Sequence, residues 1–231
     1  MSVCNFAPLS NLTLEDARKS IRQYSSLPGP WLYQYDKYFG TTRETAAPDI
    51  RLLELLEVVR GSGWAMNRKG QCAHITNEIR KGRISREELE CFWSTVDSLP
   101  DVGLRDLPCM SRNQLKKIER TFDNIRQSLR KWHSSSDSLC FLTKVILMFN
   151  WGQSPAFDTR IRNVLNVKNN ISNKTLVEAL IEIGIWIQNF ESKHDIQLNK
   201  LAADEMNSQK SLESLNPLPL GRSFDMMLFL L

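Results

Sequence analysis

Val145-Ile-Leu-Met-Phe-Asn-Trp-Gly-Gln-Ser-Pro-Ala-Phe-Asp-Thr-Arg-Ile-Arg-Asn-Val-Leu165 is an apolar run, a loop containing Gly152 and Pro155, and the opening of a further helix. The apolar character begins at Leu139 and persists nearly all round to Trp151, which predicts a helix in the middle of the protein. The loop delivers one carboxylate, Asp158, to the start of the next helix, and Arg160 and Arg162 follow at once.

Working outward, nearly every periodic segment has helical spacing, and no convincing strand alternation is present. Thr13-Leu-Glu-Asp16 reads as a capped start for a helix reaching about Tyr24, and Leu27-Pro-Gly-Pro30 breaks the chain after it. Pro48-Asp49 opens a helix carrying Leu52, Leu53, Leu56 and Val59, closed by Gly61-Ser-Gly63. Ser85-Arg-Glu-Glu88 is a capping box for a helix to about Ser98. Ser111 starts a long helix whose Leu115, Ile118, Phe122, Ile125, Leu129 and Trp132 form one apolar stripe. Its other faces carry Arg112, Lys116, Lys117, Arg120, Arg126, Arg130 and Lys131. Asn173 is the expected cap of a helix to about Phe190, and the chain from Leu198 on reads as polar with a break at Pro217 and Pro219. The expected fold is all-α, with roughly ten helices.

Apolar content of 42%, charged content of 24% and 231 residues are those of a folded chain with a substantial core. A net charge of +4 permits nucleic-acid binding without requiring it. The five cysteines, at 4, 72, 91, 109 and 140, lack the spacing of a zinc or iron–sulfur ligand pair. They read as reduced thiols, mostly core filler, in a cytoplasmic protein of a bacterial-type cytosol or nucleoid. No signal peptide is expected. The apolar runs are too short to span a bilayer, so the tail Met226–Leu231 is expected to dock onto the core. No metal, cofactor or membrane partner is expected, and the chain is read as a monomer.

The stretch from about Leu139 to Leu165 resembles the helix-hairpin-helix DNA glycosylase superfamily. That family joins an apolar helix, a Gly/Pro loop and a pattern close to Val-Asp-Thr-His-Val-x-Arg-Val. The matching residues here are Val145-Ile-Leu147, Gly152, Pro155, Phe157-Asp-Thr159, Ile161 and Val164-Leu165. About 27 of the 231 residues are covered. The resemblance implies two helical lobes with an active-site cleft between them. One lobe would span 30–157, and the other would pair 1–29 with 158–231. It implies that Asp158 is catalytic and that double-stranded DNA is the partner. Ser134-Ser-Ser-Asp-Ser138 stands where the family has its glycine hairpin. The lysine of the strand-cutting members falls near Phe141, with Lys144 about one turn on. The member implied is therefore a divergent, monofunctional one.

The chemistry agrees with that placement. Breaking an N-glycosidic bond develops positive charge on the sugar, as in the oxocarbenium-like transition state of glycoside hydrolysis. A nearby carboxylate stabilises that charge and can activate water. Arg160 and Arg162 are candidate phosphate contacts, joined by Lys144 and by donors from Ser135, Ser136 and Ser138. Arg68 and Lys69 share the loop Gly61–Gly70 with Trp64, a candidate wedge or stacking residue. Phe141 and Trp151 are candidates for lining a base pocket. Each has a plain alternative: Asp158-Thr-Arg as a simple N-cap, the charges of 112–132 as a solvated face, the Trp64 loop as a connection. His74, His133 and His194 read as ordinary residues, and the aromatic cluster 31–39 as core. Two other functions share these features: a non-catalytic nucleic-acid-binding protein on the same scaffold, and a helical protein-interaction module.

Overall fold

The computed structural model describes residues 2–26, 47–59, 71–100, 102–132, 139, 142–144, 146, 154–207 and 219–231. In chain order the helices are α1 (Leu14–Ser26), α2 (Pro48–Val59), α3 (Gln71–Arg80), α4 (Arg86–Asp97), α5 (Arg112–Trp132), α6 (Thr159–Leu165), α7 (Asn173–His194), α8 (Leu198–Asn207) and α9 (Leu220–Met227). Short 3-10 turns cover Ala7–Leu9 and Leu107–Cys109. The protein is all-α, and the described residues contain no strand.

Three of the helix starts use the same reciprocal cap. In each, a hydroxyl accepts the amide three residues on, and the side chain there accepts the cap's own amide. At α1 these bonds join Thr13 and Asp16 (3.1 and 3.0 Å). At α4 they join Ser85 and Glu88 (3.2 and 2.9 Å), and at α5 Ser111 and Gln114 (3.4 and 2.9 Å). The cap of α7 differs from expectation. Ser172, not Asn173, accepts the Thr175 amide at 3.1 Å, and Asn173 is buried at the first helical position. The hydroxyl one residue earlier has the extended backbone that a cap needs, with φ −68° and ψ 161°.

Packing divides the chain into two units. The first holds Met1–Leu27, Pro100–Glu119 and Ser138–Leu231; the second holds Pro28–Leu99 and Arg120–Asp137. The stretches 100–119 and 138–157, which the sequence reading assigns to the 30–157 lobe, thus pack in the first unit. In the second unit α2 packs on α3 and α4 and buries Leu52, Leu55 and Leu56. Arg51 is clamped there, donating to both oxygens of Asp97 at 3.0 and 2.7 Å and lying 3.9 Å over the Trp93 ring. The stripe of α5 is buried from Ile118 to Trp132, with Leu115 half-buried. One residue assigned to its solvated faces, Arg126, is instead buried, because the apolar arc extends across Thr121 and Arg126.

The first unit contains a three-helix cluster of α1, α8 and α9. Ile21, Leu198, Ala202, Phe224 and Met227 are fully buried there, each large apolar side chain contributing roughly 1.5–3 kcal/mol. Arg22 reaches across from α1 to Glu205 of α8 at 2.5 Å, with Arg18 also within 3.4 Å of that carboxylate. The expected docking of the tail is found: Met226, Met227 and Leu228 are buried, while Leu230 and Leu231 are exposed. Ser20 fixes it by donating to the Met226 carbonyl (2.9 Å) and accepting the Leu230 amide (3.1 Å).

Elsewhere in the first unit, α7 abuts the 3-10 turn Leu107–Cys109. Arg105 pins the neighbouring loop, donating to Glu191 at 2.7 Å and to Asn199 at 3.0 Å. Of the described thiols Cys4 is buried and pushed up to about 12, chiefly by that burial. Cys91 and Cys109 are exposed, which corrects the expectation of core filler for those two. No described helix is long and apolar enough to cross a membrane.

Candidate functional site

Asp158 caps α6. Its backbone is extended (φ −71°, ψ −179°), and its Oδ1 accepts the Ile161 amide at 3.1 Å. Its side chain is half-buried, and no described residue bonds its second oxygen, Oδ2. The carboxylate therefore satisfies the helix start with one oxygen and leaves the other for a different partner. Simple capping needs no more than the first oxygen.

The loop that carries it, Ser154–Phe157, is buried throughout. A buried loop must place its amides on partners, and these amides are held from two directions. Phe157 donates to Thr143 Oγ1 at 2.9 Å, and Thr143 in turn donates to the Leu139 carbonyl at 2.8 Å. Ala156 donates to Asp225 Oδ2 at 3.1 Å, and its own carbonyl accepts the Asp158 amide at 2.7 Å. Leu139, Leu142, Thr143 and Ile146, at helical spacing, are all buried, as the apolar run predicts. Thr143 is the polar interruption in that run, and its hydroxyl holds the loop.

Asp225 is a group that the sequence reading did not identify. It lies on α9, is 8% exposed, and its Oδ1 is buried without a hydrogen-bond partner. Burial pushes its carboxyl up to about 8. The charge of Asp158 pushes the same way, while Arg222, the Ala156 amide and Lys144 pull against it. Arg222, one helical turn before it, donates to the Tyr24 hydroxyl and lies 4.7 Å over the Tyr24 ring. Burial raises the Tyr24 phenol above its ordinary value, and both Asp225 and Asp158 add to that rise. Asp158, Asp225, Lys144, Arg222 and Tyr24 thus form one electrostatic neighbourhood inside the first unit.

The sign of the Asp225 shift yields a stability prediction. Between its ordinary value of 3.8 and about 8, the carboxyl is protonated in the fold and ionised in the unfolded chain. The stabilisation from holding that proton is complete below the lower value and is lost as pH rises through the window. Melting temperatures of wild type and Asp225→Asn should therefore converge on a different trend. Between about pH 4 and 8 the wild type loses stability relative to the variant, and above that range the difference stays level. Parallel curves across the window would contradict the assignment.

The remaining sequence-predicted residues divide by location. Arg160 is exposed at the backbone turn of α6, but its guanidinium folds 4.3 Å over the Phe229 ring and donates to the Phe229 carbonyl. It is thus tied to the docked tail. Arg162 is half-buried, with Nη2 donating to Thr159 Oγ1 at 3.4 Å and Nε buried without a partner. Lys144 is half-buried and faces Asp225 electrostatically. Ser135, Ser136, Ser138, Arg68, Lys69, Trp64, Phe141 and Trp151 lie outside the described residues, as do His133 and the aromatic cluster 31–39. His194 packs against Phe190 with ring centroids 4.6 Å apart and planes tilted by 51°, and His74 is exposed on α3. No group of three or more His, Cys, Asp or Glu side chains suited to a metal ion occurs among the described residues. Comparison with protein-family models, curated proteins and solved structures returned no match for this chain.

Proposed function

We propose that the chain is a monofunctional DNA glycosylase, hydrolysing the N-glycosidic bond of a modified or damaged base flipped out of double-stranded DNA. The observation that carries this reading is the half-buried Asp158 carboxylate, which has one oxygen on the helix cap and the other bonded by no described residue, on a loop anchored at both Ala156 and Phe157. A single negative group held rigidly beside the sugar is what a developing oxocarbenium ion needs. The resemblance of Leu139–Leu165 to the helix-hairpin-helix family supplies the substrate class.

In this mechanism the C1′–N bond breaks and the base departs with the bonding electron pair. Positive charge spreads over C1′ and the ring oxygen, opposite the Asp158 Oδ2. A water molecule forms the new C1′–O bond and gives its proton to the carboxylate, from which it returns to solvent, while the departing base gains a proton. Arg162 on the helix that Asp158 caps, and Lys144 in the electrostatic neighbourhood of Asp225, supply positive charge suited to the flanking phosphates. Extruding the target nucleotide costs a few kcal/mol, least where the base is already damaged or mispaired. The proposal includes a helix-hairpin-helix glycosylase-like fold, action as a monomer, no cofactor and a cytoplasmic location.

The test is incubation with a panel of duplexes, each carrying one modified or mispaired base, followed by detection of free base and of abasic sites. Release from at least one member is expected. Tight, salt-dependent binding with no release from any member would favour a non-catalytic nucleic-acid-binding protein. Absence of both would leave the protein-interaction reading.

A further inference from the structure

We propose that Asp225 is a positioning residue for Asp158, setting through the Ala156 amide the place at which the loop presents the catalytic carboxylate. This rests on the glycosylase reading of Asp158. The link consists of two consecutive hydrogen bonds through one residue. Asp225 Oδ2 accepts from Ala156 N at 3.1 Å, and the Ala156 carbonyl accepts from Asp158 N at 2.7 Å. A displacement of Asp225 therefore reaches the Asp158 backbone through a single peptide unit. Thr143 holds the adjacent Phe157 amide at 2.9 Å, so the loop cannot adjust by sliding along its other side.

A serine, threonine or asparagine would hold that amide at lower cost. The fold instead buries a carboxyl group with Oδ1 unpartnered, a costly arrangement of the kind concentrated at functional sites. The charged and titratable groups facing it are Arg222 on its own helix, Tyr24 from α1, Lys144 from the 139–146 segment and Asp158 from the loop. At neutral pH the protonated carboxyl serves Ala156 through its carbonyl-type oxygen and adds no charge beside Asp158. When Asp225 ionises, near pH 8, it places a negative charge beside Asp158. Oxocarbenium stabilisation then occurs in a loop strained by like-charge repulsion.

The experiment compares wild type, Asp225→Leu and Asp225→Asn. Asp225→Leu removes the acceptor, and kcat should fall by about 10²-fold, the scale of a misplacement on the order of 1 Å, with KM little changed. Asp225→Asn restores an oxygen acceptor and should recover most of that loss at pH 7. It should also lack the decline in kcat expected of the wild type above about pH 8. Two substrate-free readings accompany the kinetics. The Asp158 carboxyl carbon, followed by NMR, should register a titration step near pH 8 in wild type and none in Asp225→Asn. Ala156 amide exchange should be protected in both and accelerated in Asp225→Leu beyond any change in global stability.

Equal kcat in all three proteins, or an Asp158 signal blind to Asp225, overturns the proposal. If no DNA releases its base to the wild type, the glycosylase reading fails. In that case the Asp158 carbon signal and Ala156 exchange still decide whether Asp225 governs the position of Asp158.

Discussion

Asp158→Asn is expected to slow base release by about 10²–10³-fold while leaving the protein folded. Asparagine is as good an N-cap as aspartate, so the bond from the Ile161 amide to the side chain survives the exchange. What disappears is the negative charge opposite the departing base. Removing one well-placed electrostatic partner of a transition state costs about 10²–10³ in rate, or ~2.7–4 kcal/mol. The loss should fall on kcat, because the charge it opposes develops only as the bond breaks. Melting should shift by no more than a few tenths of a kcal/mol, the difference between two good caps. Asp158→Ala separates the two roles further. It removes cap and charge together, adding about 1 kcal/mol of destabilisation to the same kinetic defect. A purely structural Asp158 predicts the same melting pattern but a normal rate for asparagine.

The second large effect is on stability and lies away from the acid. Gly184→Ala should destabilise the first unit by about 3 kcal/mol, the upper part of the usual range for forcing extra volume into a packed site. A Cβ at position 184 of α7 would sit 2.2 Å from the Leu104 carbonyl oxygen, 3.2 Å from its carbon and 3.4 Å from Pro108 Cδ. The obstruction is backbone, so no side-chain rotation relieves it. The loop itself is held: Arg105 is tied to Glu191 and Asn199, and Gln188 donates to the Arg105 carbonyl at 2.8 Å. In a chain of this size each kcal/mol moves the midpoint by about 2–4 °C, so a fall of roughly 6–12 °C is expected by calorimetry. Gly82 is the control. Nothing lies within 4 Å of its missing Cβ, and its φ of +64° is the sole demand for glycine. Gly82→Ala should cost only about 1–2 kcal/mol, the penalty of a left-handed residue with a side chain. Equal effects at the two sites would refute the steric account of Gly184.

How much could be read from the chain depended on whether a signal was local. Caps are local: Thr13, Ser85 and Ser111 each carry their reciprocal partner three residues on, and each starts a helix in the structure. The α5 stripe was legible for the same reason, since its spacing repeats over many turns. Helix α3 was not legible, because Ile75 and Ile79 are the only buried positions among its described side chains and two apolar residues make no pattern. Helices α8 and α9 were read as polar tail. Small and sulfur-containing side chains (Ala202, Ala203, Met206, Met226 and Met227) supply much of their buried surface, and these disguise an apolar face.

The site shows the same division. Asp158 and its loop lie within one contiguous stretch, so their arrangement could be inferred from Gly, Pro and the cap. Asp225 is 69 residues from the amide it holds, so no local pattern ties it to the loop. Arg222, three residues before it, was the available hint, a cation just ahead of the apolar tail Met226–Leu231. Arg160 was read as a phosphate contact from its neighbourhood to the acid. In the fold it lies over Phe229, a partner that only the docking of the tail could reveal.

The central claim is that the free oxygen of Asp158 serves a sugar carbon as its base departs. Mass spectrometry of nucleobases set free from genomic and phage DNA, by wild type and by Asp158→Asn in parallel, tests it most directly. The account predicts one or more modified bases in the wild-type supernatant, at least about 10²-fold depleted with the variant. The same bases at the same yield from both proteins would contradict it.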